Sequence, residues 1–331
     1  MRITVGIELN GTRASTLGRV DYLFEKLKSS DLKVKEVCAG EYVDIRIVQS
    51  GRFEHVKNEK ILLADFSNPI LIPPRYNGLV KNIYQRFFIN RKWRNFLCSC
   101  DAIVVACNEQ KKSIQVHNRN VYVIPDVSYY HREYLPKRPK SVADAVTFVW
   151  DGQGHNFPYV HQILKNNIKF FRRPDVLVRV ITDRFDKVSG EDNEKKLVKL
   201  DINYEFFEWA PESYISLVAT SDIGLAPVDM KCLHAKAKPE NKIVNYGGLG
   251  LPTIASETDA YLAVSKGFNG LVTVCRNENG WTEALNYWLN EKQNLYVHSE
   301  QLHQFVKKEY KDDALTGAWF RILQAFESRL C

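Results

Sequence analysis

The sequence predicts two α/β domains in tandem, each built on a parallel sheet with helices on both faces. The chain has 331 residues, which is more than one ordinary hydrophobic core holds. Short apolar runs alternate with helical patterns along it, as is typical of strands joined by crossover helices. A stretch rich in proline and charge, 134–140, separates two series of such runs and predicts the domain boundary.

The first series begins with an apolar run that a polar loop connects to a helix near 16–28. Residues 43–48 then alternate between apolar and polar, as in a half-buried strand. The strands predicted for the first domain are 3–7, 43–48, 60–64, 102–106 and 121–124.

The second series contains more strands, of which the run 222–227 is short because Pro227 stops it. Its predicted strands are 146–150, 176–181, 203–207, 222–227, 253–255 and 271–274, and its helices lie near 158–168, 211–220, 241–249 and 281–292. We assign 1–138 to the first domain, 139–310 to the second, and 311–331 to a C-terminal helix, near 313–328, that packs back toward the first domain. Two such doubly wound, Rossmann-like domains leave a cleft between the carboxyl ends of their strands, where ligands bind.

Composition limits the class of protein. A hydrophobic content of 45% and a charged content of 26% are those of a soluble globular protein, and the net charge of +7 is modestly basic. The N-terminus lacks the apolar region of a signal peptide, and no apolar run reaches the roughly 20 residues that span a bilayer. The seven cysteines show no zinc spacing, and we expect Cys98, Cys100 and Cys107 in the core. These features predict a cytoplasmic protein.

The most informative stretch begins after Pro239. Glu240, Asn241 and Lys242 open a predicted helix, and a Gly-Leu-Pro run ends it at 250–252. Free N–H donors and the positive dipole end at such a start attract a phosphate or a sugar. Helix capping is the structural alternative. Capping alone explains the whole stretch less well, because it does not account for the Gly-Leu-Pro run.

A glycine-rich turn follows the strand that ends at Trp150. Gly152 and Gly154 let a backbone approach a phosphate closely, although a tight strand-to-helix turn explains them equally well. The turn lacks the third glycine of a dinucleotide fingerprint, since Phe157 stands there, and it has no P-loop lysine.

These stretches resemble the nucleotide-sugar glycosyltransferases of the GT-B fold, in particular the GT4 family (glycosyl transferases group 1). The resemblance lies in a Trp-x-Gly-x-x-x-Asn opening of the second domain at 150–156, an Asp-Ile-Gly-Leu-Ala-Pro strand at 222–227, and a Pro-x-Asn-Lys start, at 239–242, to a helix that ends Gly-x-Pro. It is strongest over 146–275 and weaker elsewhere.

The resemblance implies retaining transfer of a sugar from a nucleotide-diphosphate donor, of UDP or GDP type, to a saccharide or lipid-linked acceptor. It implies no obligatory metal or other cofactor, and a role in surface polysaccharide or glycoconjugate synthesis. Lys242 would meet the diphosphate, helped by Arg184 after a strand end, and the loop at Trp209 would lie beside the base unless that ring packs in the core. The implied donor-binding residues are Gly152, Gly154, His155, Asn156, Trp209, Pro211, Asn241, Lys242 and Asn245.

The chain departs from the family at its acidic pair. Many GT4 enzymes carry a Glu-x7-Glu motif, whose second glutamate falls here on Asn245 and whose first falls on Ala237. Asn245 can still hydrogen-bond a ribose or sugar hydroxyl, and Glu240 lies close enough to substitute. We therefore predict Lys242, Glu240 and Arg184 as catalytic residues of the second domain.

The first domain offers an acceptor or phosphate loop after its first strand, consisting of Gly11, Arg13, Ser15 and Thr16. An N-capped helix with a solvent-facing arginine explains that loop equally well. Asp65 stands where a strand ends, and carboxylates at such ends often face the cleft, so we predict it as a catalytic residue that holds an acceptor hydroxyl.

No aspartate or glutamate occurs from Phe66 to Cys100. The cations and aromatic rings of this segment fit an anionic membrane surface, and they also fit a partner helix or nucleic acid. An ordinary core helix with a basic outer face is the simpler alternative. Since no nucleic-acid motif occurs, we expect no nucleic-acid partner; the predicted membrane face, at the inner side of the cytoplasmic membrane, is Arg86, Arg91, Lys92 and Arg94.

Three other functions remain open from the sequence. A sugar-nucleotide epimerase shares the fold but usually has more histidine and carboxylate in its cleft. A non-catalytic module that binds nucleotide sugar or glycan is compatible with Asn245. A Rossmann oxidoreductase is disfavoured, because no strand is followed by Gly-x-Gly-x-x-Gly.

Overall fold

The structure is a computed structural model that describes residues 3–9, 19, 22–27, 32–50, 57–72, 88–128, 130–141, 143–187, 189–210 and 213–330, with residues 24 and 25 described by their backbone alone. These residues divide into two compact units. The first unit holds the described residues up to Ser128, Cys232–Pro239, and the residues from Glu309 onward. The second unit holds the remainder, and the predicted domain boundary after residue 138 stays a prediction.

The sheet of the first unit has six described strands in the order β2-β1-β3-β4-β5-β6, all parallel. Five of them match predicted runs. The sixth, β2, was not predicted because its sequence Lys-Val-Lys-Glu has one apolar residue, as suits an edge strand. The strands are β1 (Thr4–Glu8), β2 (Lys33–Glu36), β3 (Val43–Gln49), β4 (Glu59–Phe66), β5 (Ala102–Val105) and β6 (Val121–Val123).

The sheet of the second unit has the order β12-β11-β10-β7-β8-β9 and is parallel throughout. Its strands are β7 (Val146–Asp151), β8 (Val176–Thr182), β9 (Tyr204–Glu208), β10 (Ile223–Ala226), β11 (Thr253–Ser256) and β12 (Val272–Cys275). The strand order reverses beside β7, which lies between β8 and β10. In open parallel sheets such a reversal places a ligand crevice at the carboxyl ends of the adjacent strands.

Helices connect the strands. Along the chain they are α1 (Tyr22–Lys26), α2 (Asn90–Ser99), α3 (Asn108–Ile114), α4 (Phe157–Asn166), α5 (Ile168–Phe171), α6 (Asn193–Val198), α7 (Tyr214–Ala219), α8 (Leu233–Lys236), α9 (Asn241–Gly248), α10 (Asp259–Ser265), α11 (Glu278–Asn290), α12 (Leu295–Glu309) and α13 (Asp312–Glu327). Short 3-10 helices lie at Tyr130–Glu133, Gly154–Asn156, Lys266–Phe268 and Glu291–Asn294. Within the described ranges, no helix combines the length and apolar character needed to cross a membrane.

The inner strands bury apolar side chains on both faces, as parallel sheets do, and the interior of β7 is fully buried. Cys100 and Cys107 are buried as predicted, but the prediction for Cys98 was wrong: it lies on an exposed face of α2, and its thiol is 3.4 Å from the His117 carbonyl. The apolar stretch around it belongs to an amphipathic helix, and only one side of such a helix faces the core.

The end of α9 is shaped by Gly250. Its φ of +73° lies in the left-handed region, and an ideal Cβ there would lie 2.2 Å from Ser299 Oγ and 2.9 Å from the Ser299 carbonyl oxygen. Gly190 provides a matched comparison, because its φ is +74° and an added Cβ would meet nothing within 4 Å.

We predict that Gly250→Ala lowers the free energy of unfolding by about 2–5 kcal/mol, because backbone strain and overpacking against α12 add together. Gly190→Ala carries the strain alone and is expected to lose about 1–2 kcal/mol. Urea denaturation of both variants measures this difference. Equal losses would show that α12 moves aside without cost.

Candidate functional site

The carboxyl end of β7 meets the start of α9. The strand ends at Asp151, and Lys242 occupies the first turn of the helix. The Lys242 ammonium lies 3.1 Å from Asp151 Oδ1 and also donates to the Asp151 main-chain carbonyl. Since 25% of the lysine side chain and 14% of the aspartate side chain are exposed, this is a half-buried ion pair at the carboxyl edge of the second sheet.

Tyrosine hydroxyls hold the Asp151 carboxylate. Tyr246, one helical turn after Lys242, donates to Oδ1, and Tyr214 donates to Oδ2 across 3.2 Å. The Tyr130 hydroxyl lies 3.0 Å from that of Tyr214 and donates to it. Burial raises the pKa of Tyr130 to about 12 and raises the pKa values of Tyr214 and Tyr246 well above the usual range. All three rings therefore stay protonated and act as donors at neutral pH.

The packing around this network explains its order. Tyr214 and Tyr246 belong to a buried apolar cluster with Val149, Ile181, Val218, Ala219, Leu249 and Leu251. An ideal Cβ at Gly224 would lie 2.2 Å from the Tyr246 ring, so the glycine on β10 leaves the space that this ring fills. The Lys242 ammonium lies 5.8 Å from the Trp150 ring centroid and 5.4 Å from that of Tyr246, within the range of cation–π attraction.

The glycine-rich turn after β7 is packed against the protein itself. An ideal Cβ at Gly152 would lie 2.8 Å from the Trp150 ring, and one at Gly154 would lie 3.1 Å from Asn193 Nδ2. The Gly154 N–H donates to Asp183 Oδ2 at 3.1 Å, so this amide is already bonded. His155 and Asn156 follow in a 3-10 turn that leads into α4, and both are half-buried.

Other predicted donor residues lie on the second unit. Trp209, after β9, is 50% exposed, and its ring centroid is 6.2 Å from that of Tyr214. The exposed ring is available for stacking, which disfavours the core-packing alternative. Glu240 is buried next to α9, and Asn241 and Asn245 are half-buried on it. The Asn245 amide makes no hydrogen bond with the residues that the structure describes, whereas Pro211 lies outside them.

Carboxylates accompany the cations at this end of the sheet. Arg184 lies 3.4 Å from both Asp192 and Glu194, with 45% of its side chain exposed. Lys187 lies 3.6 Å from Asp183. These cations and Lys242 are all paired, so they attract an anionic ligand less strongly than unpaired cations would. The main-chain N–H groups at the helix start therefore contribute a larger share of the binding energy. Across the described ranges, no cluster of His, Cys, Asp and Glu has the geometry of a metal site.

The described part of the first unit places Asp65 differently from the sequence expectation. Its side chain is fully buried at the end of β4, and both oxygens accept hydrogen bonds from the Arg19 guanidinium, with Nε to Oδ2 at 3.1 Å. Arg19 also bonds Asp126 at 2.9 Å and the Ile124 carbonyl. A direct contact of Asp65 with an acceptor hydroxyl stays a prediction. In this arrangement both carboxylate oxygens accept hydrogen bonds from Arg19.

The remaining predicted residues of the first domain divide into two groups. Arg91, Lys92 and Arg94 are exposed on α2. Outside the described residues lie Gly11, Arg13, Ser15, Thr16 and Arg86.

Sequence reasoning missed Asp151 and the three tyrosines as site residues. Two signals were present in the sequence: Asp151 is the last residue of a strand, and Tyr246 follows Lys242 at the i,i+4 spacing of one helix face. Tyr130 and Tyr214 had no comparable local signal, because only the fold brings them to Asp151.

Comparisons with known proteins agree with this architecture. No protein-family model matches the sequence, and no curated protein sequence does. Among solved structures, HepE of Anabaena in complex with UDP matches with a TM-score of 0.65 and 9% identity over 98% of this chain and 100% of that one. A glycosyltransferase from Rickettsia africae ESF-5 matches with a TM-score of 0.62 and 12% identity, covering 97% of each chain.

WaaG, a glycosyltransferase involved in lipopolysaccharide biosynthesis, matches with a TM-score of 0.59 and 12% identity over 96% of this chain and 98% of that one. At such identities the similarity is one of fold. The predicted fold class is confirmed: the chain has the GT-B fold, with two parallel α/β sheets and flanking helices. Membership of the GT4 family stays a prediction.

We predict that Asp65→Asn lowers the free energy of unfolding by about 3–5 kcal/mol, because it leaves the buried Arg19 guanidinium short of a counter-charge. The control is Glu41→Gln, which breaks a surface pair with Lys35 and is expected to leave stability almost unchanged. Chemical denaturation measures both. An Asp65→Asn variant as stable as the wild type would contradict the structural role and favour acceptor binding.

Proposed function

We propose that the protein is a glycosyltransferase that moves a sugar from a nucleotide-diphosphate sugar to a hydroxyl of a saccharide or lipid-linked acceptor. The observation that supports this best is the position of Lys242. It lies on the first turn of α9, beside the end of β7, where the strand order of the second sheet reverses. HepE, which shares this fold, has been solved with UDP, with UDP and glucose, and with UDP-glucose.

The donor diphosphate is proposed to lie at the start of α9. The first turn of a helix has main-chain N–H groups without intrahelical partners, and the Lys242 ammonium has donors beyond the one that the Asp151 carbonyl accepts. These groups stabilise the charge that builds on the diphosphate as the bond to the sugar breaks. Arg184, half-exposed after β8, is the second cation proposed to bind the diphosphate. To do so, it would have to leave its ion pairs with Asp192 and Glu194.

The nucleoside and the sugar are assigned to the side chains around that position. The exposed Trp209 ring offers a face to the base. Asn245 stands one turn along α9 from Lys242, and its amide, which makes no hydrogen bond within the described part of the chain, suits a ribose or sugar hydroxyl. Glu240 is the proposed carboxylate for the sugar. Transfer is proposed to proceed with retention, by front-face displacement through an oxocarbenium-like transition state, without an obligatory metal.

The acceptor is proposed to bind the first unit through Gly11, Arg13, Ser15 and Thr16, with Asp65 as a further proposed contact. For a lipid-linked acceptor, the exposed cations Arg91, Lys92 and Arg94 are the described part of the proposed contact with anionic lipid. Co-sedimentation with anionic vesicles, compared with a variant in which these three are glutamine, tests that contact.

The second candidate is a non-catalytic module that binds nucleotide sugar. The pairing of the cations with carboxylates favours it, because it leaves little uncompensated charge for a leaving diphosphate. Incubation with UDP- and GDP-sugars separates the two candidates: a transferase releases free UDP or GDP with an acceptor and slowly by hydrolysis without one, whereas a binding module releases none.

We predict that calorimetry detects binding of UDP or GDP, and that Lys242→Ala weakens it by about 1.5–3 kcal/mol, or about 10- to 150-fold, as for a hydrogen bond to a charged group. Lys187→Ala is the matched control, because Lys187 also pairs with a carboxylate at this end of the sheet but is 80% exposed. It is expected to change affinity less than twofold. Folded protein that binds neither nucleotide would refute the donor assignment.

We predict that one of two residues has taken over from the family's second glutamate. If it is Asn245, Asn245→Ala reduces release of nucleotide from the sugar donor while the thermal midpoint of unfolding stays close to that of the wild type. If it is Glu240, Glu240→Gln shows that effect instead. Unchanged release in both variants would contradict the alignment of this helix with the family motif.

A further inference from the structure

We propose that Asp151 is a positioning residue for Lys242, and that it depends on a line of hydroxyls from Tyr130 through Tyr214. We call Tyr130, Tyr214 and Asp151 the hydroxyl relay. The proposal rests on the proposed function in one respect, namely that Lys242 binds the donor diphosphate. It adds the groups that decide where the lysine ammonium points.

The first step concerns the ammonium itself. A lysine side chain has a flexible four-carbon stem and three N–H donors. Asp151 holds the ammonium at two points: its main-chain carbonyl accepts one N–H donor, and its Oδ1 lies 3.1 Å away as the counter-charge. Donors remain for the exposed side, since a quarter of the side chain is accessible. Because the ammonium is held at two points, its remaining donors are aimed, and a ligand does not have to order the lysine when it binds.

The second step concerns the carboxylate, which aims the lysine only if it is itself fixed. Tyr246 bonds Oδ1, but Tyr246 lies on the same helix as Lys242 and so ties the carboxylate only to that helix. Tyr214 bonds Oδ2 from α7, a separate element, and therefore sets the rotation of the carboxylate in the frame of the sheet.

The third step concerns Tyr214. Its ring is packed edge-on against that of Tyr130, with centroids 5.8 Å apart and planes at 71°. The Tyr130 hydroxyl donates to the Tyr214 hydroxyl, which leaves the Tyr214 proton directed at Asp151. Tyr130 belongs to the 3-10 helix Tyr130–Glu133, so the relay joins a third element to the carboxylate.

The test uses tyrosine variants because they leave every charge in place. Tyr214→Phe keeps the ring and removes the bond to Asp151 Oδ2. Tyr134→Phe is the matched control, because it also removes a hydroxyl bond to a carboxylate of the second unit, that of Glu300 at 2.9 Å. Each change is made in the wild type and in Lys242→Gln, and binding is measured by calorimetry with whichever of UDP and GDP the wild type binds more tightly.

We expect Tyr214→Phe to weaken nucleotide binding about three- to tenfold in the wild type, the range for one hydrogen bond, and less than twofold in Lys242→Gln. Tyr134→Phe is expected to leave affinity unchanged in both backgrounds, because the bond that it removes lies away from Lys242 and Asp151. This non-additivity is the signature of action through Lys242, because a structural effect on the fold would appear equally in both backgrounds.

Two sets of outcomes overturn the proposal, and they differ in whether the assignment of the donor site is refuted as well. If Lys242→Gln weakens binding but Tyr214→Phe does not, or does so equally in both backgrounds, the hydroxyl relay is refuted and the donor assignment stands. If neither nucleotide binds the wild type, or Lys242→Gln binds as the wild type does, the donor assignment fails and the relay fails with it.

Discussion

The half-buried pair of Asp151 and Lys242 is the interaction on which the candidate site depends. It joins the last residue of β7 to the first turn of α9, 91 residues later in the chain. Removing two charges from water is unfavourable unless hydrogen bonds satisfy their remaining donors and acceptors. Here two tyrosine hydroxyls complete the carboxylate, and the protein thereby fixes a cation at the point where the order of the second sheet reverses.

Several choices of residue near the pair follow from that constraint. The Tyr246 ring needs space beside β10, and Gly224 supplies it by having no side chain. Gly152 accommodates the Trp150 ring, which in turn lies within cation–π range of the Lys242 ammonium. Gly224 and Gly152 therefore make room for aromatic rings, and these rings and the tyrosine hydroxyls surround the ion pair.

In the first unit, buried arginines form ion pairs that join its elements. Arg19 joins Asp65 at the end of β4 to Asp126 after β6, and it is fully buried. Arg46, in the middle of β3, pairs with Glu8 at 2.9 Å and Glu59 at 3.1 Å, again without exposure. Guanidinium groups have five donors in a rigid plane and satisfy several acceptors at once, which suits a buried network, whereas the single ammonium of Lys242 suits a half-exposed one.

The sequence by itself determined the fold class, because strand and helix periodicity is local and the chain repeats it twice. It also placed Lys242 at a helix start, since a proline and a polar cluster precede an apolar helical pattern. It missed β2, where one apolar residue gives no period, and it put Cys98 in the core, where an apolar stretch hid which helix face turns outward. Only the tertiary structure decided the partners of each charge. Asp151 meets Tyr130 and Tyr214, and Asp65 meets Arg19, through contacts between residues distant in the chain, and no local pattern specifies which buried donor a strand-end carboxylate will receive.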